Sequence, residues 1–153
     1  MAKVINILNS GDGDFPVPFL RTLKVKSGTA GSILPGYLII ADGSNPGYVA
    51  AAPDDTDTDD VIVGVAASQS TETASADGIV EVETAPYLLV NIFAKTPGSL
   101  TRAMVLTNRY TLNVSSGNYT LDQSTTTKGI FRLWDFDDTT TGLCWATIQC
   151  TAF

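Results

Sequence analysis

At 153 residues the chain is long enough for one domain with a real core and too short for two comfortable ones. Hydrophobic residues make up 44% and charged residues 16%; Thr, Ser, Gly and Asn fill the difference, a composition of strands and turns rather than surface helices. The net charge of −7 repels a polyanion, so nucleic acid is not an expected partner. No apolar stretch reaches transmembrane length and no basic-then-apolar leader is visible, so no membrane or secretion route is expected either.

Residues 1–20, MAKVINILNSGDGDFPVPFL, read as an extended N-terminal arm ahead of a β domain over 21–153. Pro16 and Pro18, after a Gly-Asp-Gly-Asp run, forbid a continuous helix. Val4, Ile5, Ile7, Leu8, Phe15 and Phe19 are apolar side chains on a segment that cannot bury them alone. They need a surface, either a partner's or that of their own domain.

From Arg21 onward the pattern is strands punctuated by turns. TLKVKSG alternates, with Leu23 and Val25 on one face and Lys24 and Lys26 on the other. GYLIIADGSNPGYVAAA reads as a hairpin turning over Asp42–Gly47, and VIVGVAA as a buried strand. GIVEVET places Val80 and Val82 inward and Glu81 and Glu83 outward; YLLVNIFA is another buried run. RYTLNVSSGNYTLD is a hairpin with Tyr110, Leu112 and Val114 sharing a face, and Tyr119 and Leu121 on the return strand. GIFRLWDF and LCWATIQC form the closing hairpin, with Cys144, Ala146, Ile148 and Cys150 on one face. Residues 97–106 are the best candidate for a short helix. No repeat of fixed period is visible, and the fold class is all-β, a single compact barrel or sandwich with an extended arm.

Little of this resembles a reaction centre. Asp55, Asp57 and Asp59 have the spacing that begins a calcium loop, but Asp60 stands where glycine belongs and Ala66 where the bidentate glutamate belongs. The acidic stretch Asp54–Asp60 therefore reads first as a solvated turn that keeps the next strand from sticking to other chains, with an ad hoc calcium loop as the alternative. No histidine is available as a proton shuttle, which removes the usual serine and cysteine triads. Glu81 and Glu83 share a strand face and are the candidate carboxylate pair for glycoside hydrolysis, yet surface alternation explains them. Six residues of strand hold Cys144 and Cys150 roughly 20 Å apart, so they read as core thiols rather than a disulfide. Asn113 and Asn118 each begin a glycosylation sequon but flank a tight turn, and are read as turn residues. No cofactor and no metal are expected.

Aromatic residues carry the remaining signal. Trp134, Trp145, Tyr87 and Tyr48 are candidates for a sugar platform. Trp145 lies opposite the Cys144/Ile148 face, so it is exposed or covered by the arm, a neighbouring subunit or a ligand.

The stretch GYLIIADGSNPGYVAAAPDDTDTDDVIVGVAASQSTETASADGIVEVETAPYLLV resembles the head-decoration, capsid-stabilising proteins of tailed bacteriophages. In these a strand ending in Asp-Gly precedes a GVA strand, a polar loop and a Gly-hydrophobic-x-Val strand. The section from Asn108 to Gln149 is similar to the end of phage capsid-associated β proteins, so the likeness spans about residues 30–150, in rhythm and turn placement. It implies a non-enzymatic virion protein, made in the host cytoplasm and seated on the outer capsid surface. It also implies a homo-oligomer, a trimer being favoured, that clamps neighbouring major capsid subunits. The arm residues Val4, Ile5, Ile7, Leu8, Phe15 and Phe19, with Trp145, would then be the partner contacts. The rival readings are a tail or fibre-base component, a receptor- or carbohydrate-binding β module and, third, a carboxylate-pair glycosidase.

Overall fold

Alternating apolar and polar residues fold into strands wherever one face finds a core. A computed structural model describes residues 2–8, 18–137 and 141–152. Its strands are β1 (Asn6–Ile7), β2 (Phe19–Val25), β3 (Leu38–Ala41), β4 (Val49–Ala51), β5 (Ile62–Ala66) and β6 (Gly78–Thr84). They continue with β7 (Tyr87–Ala94), β8 (Arg109–Ser115), β9 (Asn118–Asp122), β10 (Phe131–Phe136) and β11 (Leu143–Gln149). The all-β expectation is met, by closed barrels forming a compact domain.

The barrels are two, and they share one topology. β2 to β6 close in the order β2-β4-β3-β5-β6; β7 to β11 close in the order β7-β9-β8-β10-β11. In both, the first strand meets the third in parallel and every other neighbour is antiparallel. The chain is thus a tandem of one five-stranded plan, without any sequence period to announce it.

VIVGVAA shows how the two barrels pack. Val63 and Ala66 point into the first barrel with Val25, Ile33, Ile39, Val49, Val80 and Val82. Ile62 and Val65, with Leu38 and Ile40 of β3, point the other way, into a core shared with the second barrel. An irregularity in the β3–β5 register, where Ile39 pairs Gly64 but Ile40 pairs Ile62, changes which residues share a face. Only glycine fits at position 64, because a Cβ there would stand 2.1 Å from the Glu83 carbonyl oxygen. Burial on both faces is why this strand has no polar alternate. Each such aliphatic side chain contributes about 1.5–3 kcal/mol.

The second barrel is filled by Leu88, Val90, Ile92, Leu112, Leu121, Phe131, Leu133, Cys144, Ala146 and Ile148, all fully buried. YLLVNIFA alternates instead of being buried throughout: Tyr87, Leu89, Asn91 and Phe93 face outward. The β8–β9 hairpin turns through Ser116 (φ +50°) and Gly117 (φ +75°), the mirror-image turn whose twist matches paired strands. The helix expected over 97–106 is two separate 3-10 turns, Pro97–Ser99 and Arg102–Met104, and the chain then reverses at Leu106 with φ +61°. At the other end, β2 starts at Phe19, so the boundary expected after residue 20 falls inside a barrel strand.

Candidate functional site

The described start of the arm, residues 2–8, docks on its own domain, across the joint between the barrels. The Ile5 amide donates to the Gly36 carbonyl at 3.0 Å, on the first barrel. On the second, the Lys3 amide donates to Asn118 Oδ1 at 2.8 Å, the Tyr119 amide donates to the Lys3 carbonyl at 2.8 Å, and the Leu8 amide donates to the Leu89 carbonyl at 2.7 Å. Between these points β1 pairs antiparallel with β7, Asn6 opposite Asn91 and Ile7 opposite Val90. Ile5 is only 2% exposed and belongs to the shared core, while Val4, Ile7 and Leu8 are half-buried. Gly36 (φ +85°) leaves room for Val4, since a Cβ there would stand 2.6 Å from that of Val4.

The candidate contact residues therefore divide. Val4, Ile5, Ile7 and Leu8 come together in one docked segment, and Ile5 is committed to the fold. Phe15 lies outside the described residues. Phe19 opens β2 on the first barrel and is 59% exposed. Trp145 stands on the outer face of β11, opposite Asn91, in the same cross-strand row as Asn6 of the arm.

That outer face continues onto β10. Leu89, Trp134, Asp135 and Trp145 line an open groove of about 360 Å³. The β10–β11 register shifts between Leu133 and Asp135, so Trp134 has no residue opposite it and both Trp134 and Asp135 turn outward. Trp134 donates its indole N–H to Thr147 Oγ1 at 3.0 Å and is 45% exposed. Asp135 is paired with Arg102, whose guanidinium also lies 4.5 Å over the Phe136 ring. That hydrogen bond holds the Asp135 carboxyl below its ordinary range. The sequence carries a signal for this bulge: in LWDF the core residues Leu133 and Phe136 are three apart, and two outward residues fill the gap.

The acidic stretch has a structural use that sequence reasoning missed. Beyond its short contact with β10, the edge of β8 is finished by the β4–β5 loop. Asp54 Oδ1 accepts the Val114 amide at 2.7 Å, and the Asp55 amide donates to the Leu112 carbonyl at 3.1 Å. Asp57 and Asp60 accept loop amides, and Asp59 pairs with Lys128. Asp54 and Asp59 thereby tie one barrel to the other, while Asp57 and Asp60 brace the loop itself. Among the described residues no group of three or more His, Cys, Asp or Glu side chains is placed to hold a metal ion. Glu81 and Glu83 stand on the outer side of β6 opposite Thr22 and Leu20. Cys144 and Cys150 are buried and unpaired, and burial pushes their thiols up to about 12 and about 11.

No protein-family model matches the chain, and neither a curated protein nor a solved structure matches it. The surface is therefore read from its own chemistry.

Proposed function

We propose that the chain is a non-enzymatic structural protein that binds another protein's surface, and in the finer reading decorates the outside of a tailed-phage capsid. The observation that carries the binding role is the aromatic face of β7, β10 and β11. Two tryptophans and Leu89 sit there on a closed sheet, with the arm strand beside them. Tryptophan is the side chain most enriched among residues that dominate protein interfaces. The capsid reading adds the likeness of residues 30–150 to head-decoration proteins. Repetition over a lattice converts modest single contacts into firm attachment, with no catalytic group needed. In this reading a homo-oligomer clamps neighbouring major capsid subunits.

Capsids of the source phage, prepared without this chain, test the proposal by co-sedimentation. The chain should saturate them at a fixed ratio to the major capsid subunit, and Trp145→Ala should weaken that binding about tenfold, or 1.4 kcal/mol. Failure of the native chain to sediment with capsids contradicts the capsid reading.

One observation favours a second reading. Trp134 and Trp145 flanked by Asp135 is also the chemistry of a sugar site, in which ring faces stack on indoles while a carboxylate takes hydroxyl hydrogens. Saturable quenching of tryptophan fluorescence by host-surface oligosaccharides, without capsid binding, would select it.

A further inference from the structure

Arg109 of β8 and Arg132 of β10 are direct cross-strand partners, next to the pair Tyr110 and Phe131. Tyr110 and Phe131 are buried in the second barrel, so alternation turns both arginines to its outer face, where each is half-buried. Paired strands lie about 5 Å apart, and like charges directly opposite destabilise a sheet. Acidic residues outnumber basic ones in this chain, sixteen to nine, yet none relieves this pair. Lys26, Lys95, Arg102 and Lys128 each hold an aspartate. Among the described residues Arg109 and Arg132 hold none. Asp135, on the same outer face, is taken by Arg102.

The pair is set in place by its surroundings. Arg132 Nη1 donates to the Leu106 carbonyl at 3.3 Å, and the Leu106 amide donates to the Leu133 carbonyl at 2.9 Å. The reversal at Leu106 thus tethers one guanidinium to its own strand. Residues 95–108 and 123–131, which lead into the two arginines, are all described.

Charge along the chain favours an anionic visitor here. Residues 18–86 carry ten acidic and three basic side chains, whereas residues 87–152 carry four and five. The acidic loop meets β8 at Leu112 and Val114. Those residues are roughly 10–17 Å along the strand from Arg109, beyond a Debye length of about 8 Å. The pair also adjoins the aromatic groove. Leu89, Thr147, Arg132 and Arg109 form one row across four strands, and Thr147 accepts the Trp134 indole N–H.

We propose, resting on the reading of the aromatic face as a protein interface, that Arg109 and Arg132 form a carboxylate site in which the partner protein seats one aspartate or glutamate. A guanidinium presents paired N–H groups that match the two oxygens of a carboxylate. One carboxylate between two guanidiniums offsets their repulsion, so the strain of the free chain is relieved only in the complex. Arginine beside tryptophan is also the composition of residues that dominate interfaces.

The free chain gives the first readout. Arg109→Glu supplies Arg132 with the carboxylate it lacks, so Tm at low salt should rise by about 1–3 °C and the rise should shrink at about 0.5 M chloride. A fall in Tm would make Arg109 a structural residue and overturn the proposal. The binding probes are a capped oligoglutamate peptide, trigalacturonate and inorganic phosphate, titrated at equal ionic strength while the arginine Nε–H resonances are followed. The peptide should shift Arg109 and Arg132 saturably, and Arg109→Glu should weaken it at least about tenfold. Absence of a saturable shift, or an equal response to phosphate, overturns the proposal. So does tighter binding of trigalacturonate, which assigns the pair to an acidic glycan. Capsids prepared without this chain separate this site from the aromatic face. If Trp145→Ala weakens attachment and Arg109→Glu does not, the aromatic face stands and the carboxylate site falls. If the native chain ignores capsids, the capsid reading fails by itself and the peptide titration still decides.

Discussion

The Asp54 carboxylate accepts the Val114 amide hydrogen at 2.7 Å, so a loop of the first barrel completes the open edge of a strand in the second. With Asp55 bonded to Leu112 one residue along, the acidic loop substitutes for a missing strand neighbour. Removing the carboxylate leaves a strand-edge N–H without its acceptor. Asp54→Ala should therefore cost about 1 kcal/mol, the lower part of the usual range because water reaches this site. For a chain of this size that is about 2–4 °C in Tm, read by calorimetry. Faster exchange of the Val114 amide should accompany it. An unchanged Tm with unchanged exchange would show that the latch contributes nothing.

Gly36 tests the docking of the arm. Its φ of +85° and the 2.6 Å approach to Val4 both exclude a Cβ. Gly36→Ala should destabilise by at least about 1–2 kcal/mol from the backbone conformation alone, and it should lift the arm. The readout is amide exchange at Ile5 and Leu8, which should accelerate far more than exchange in β11.

Two carboxylates make stability fall in acid. Burial acts to raise Glu72, but hydrogen bonds from the Ser32 and Ser70 hydroxyls and the Ser32 amide outweigh it, leaving its carboxyl below the ordinary 4.5. Asp77 is held well below 3.8 by the Ser27 amide, the Tyr48 hydroxyl and Lys26. Because both folded values are depressed, their stabilisation is fully present above the unfolded values. It is lost as pH falls from those values through the folded ones. The urea midpoint of the native chain should fall as the pH drops below about 4.5. Glu72→Gln/Asp77→Asn should lower the midpoint at neutral pH and flatten that fall. An acid slope as steep in the variant as in the native chain would refute the assignment.

Cys144 and Cys150 should be inert to iodoacetamide while the chain is folded. Burial raises both thiols, so almost no thiolate exists at about pH 8. Mass spectrometry should find neither alkylated in native buffer and both alkylated in concentrated guanidinium. Rapid native labelling of either would show that the second barrel opens readily.

The strands were legible because their faces are chemically distinct. Val80 and Val82 against Glu81 and Glu83, or Cys144 and Ile148 against Trp145, declare a buried side without any partner in view. What closes against what was not legible. Strand pairing joins residues distant in sequence, such as Ala94 with Leu121, and nothing local encodes it. The tandem plan stayed hidden for the same reason, since two barrels can share an order of strands while differing at every position. VIVGVAA reads as buried, but that Ile62 and Val65 share one core while Val63 and Ala66 share the other depends on the register shift beside Gly64 and on the second barrel. The acidic loop misled most. Five aspartates in seven residues suggest repulsion and water, and only the fold reveals a strand edge waiting beside Asp54. At the aromatic face, Trp145 followed from alternation, whereas Trp134 and Asp135 required the bulge.

The capsid reading turns on number. Quantitative mass spectrometry of purified virions from the source of this chain gives its copies per particle directly. A count of the same order as the major capsid protein is the result predicted for a lattice decoration. A handful of copies would place the chain at a tail or vertex, and none at all would contradict a virion role.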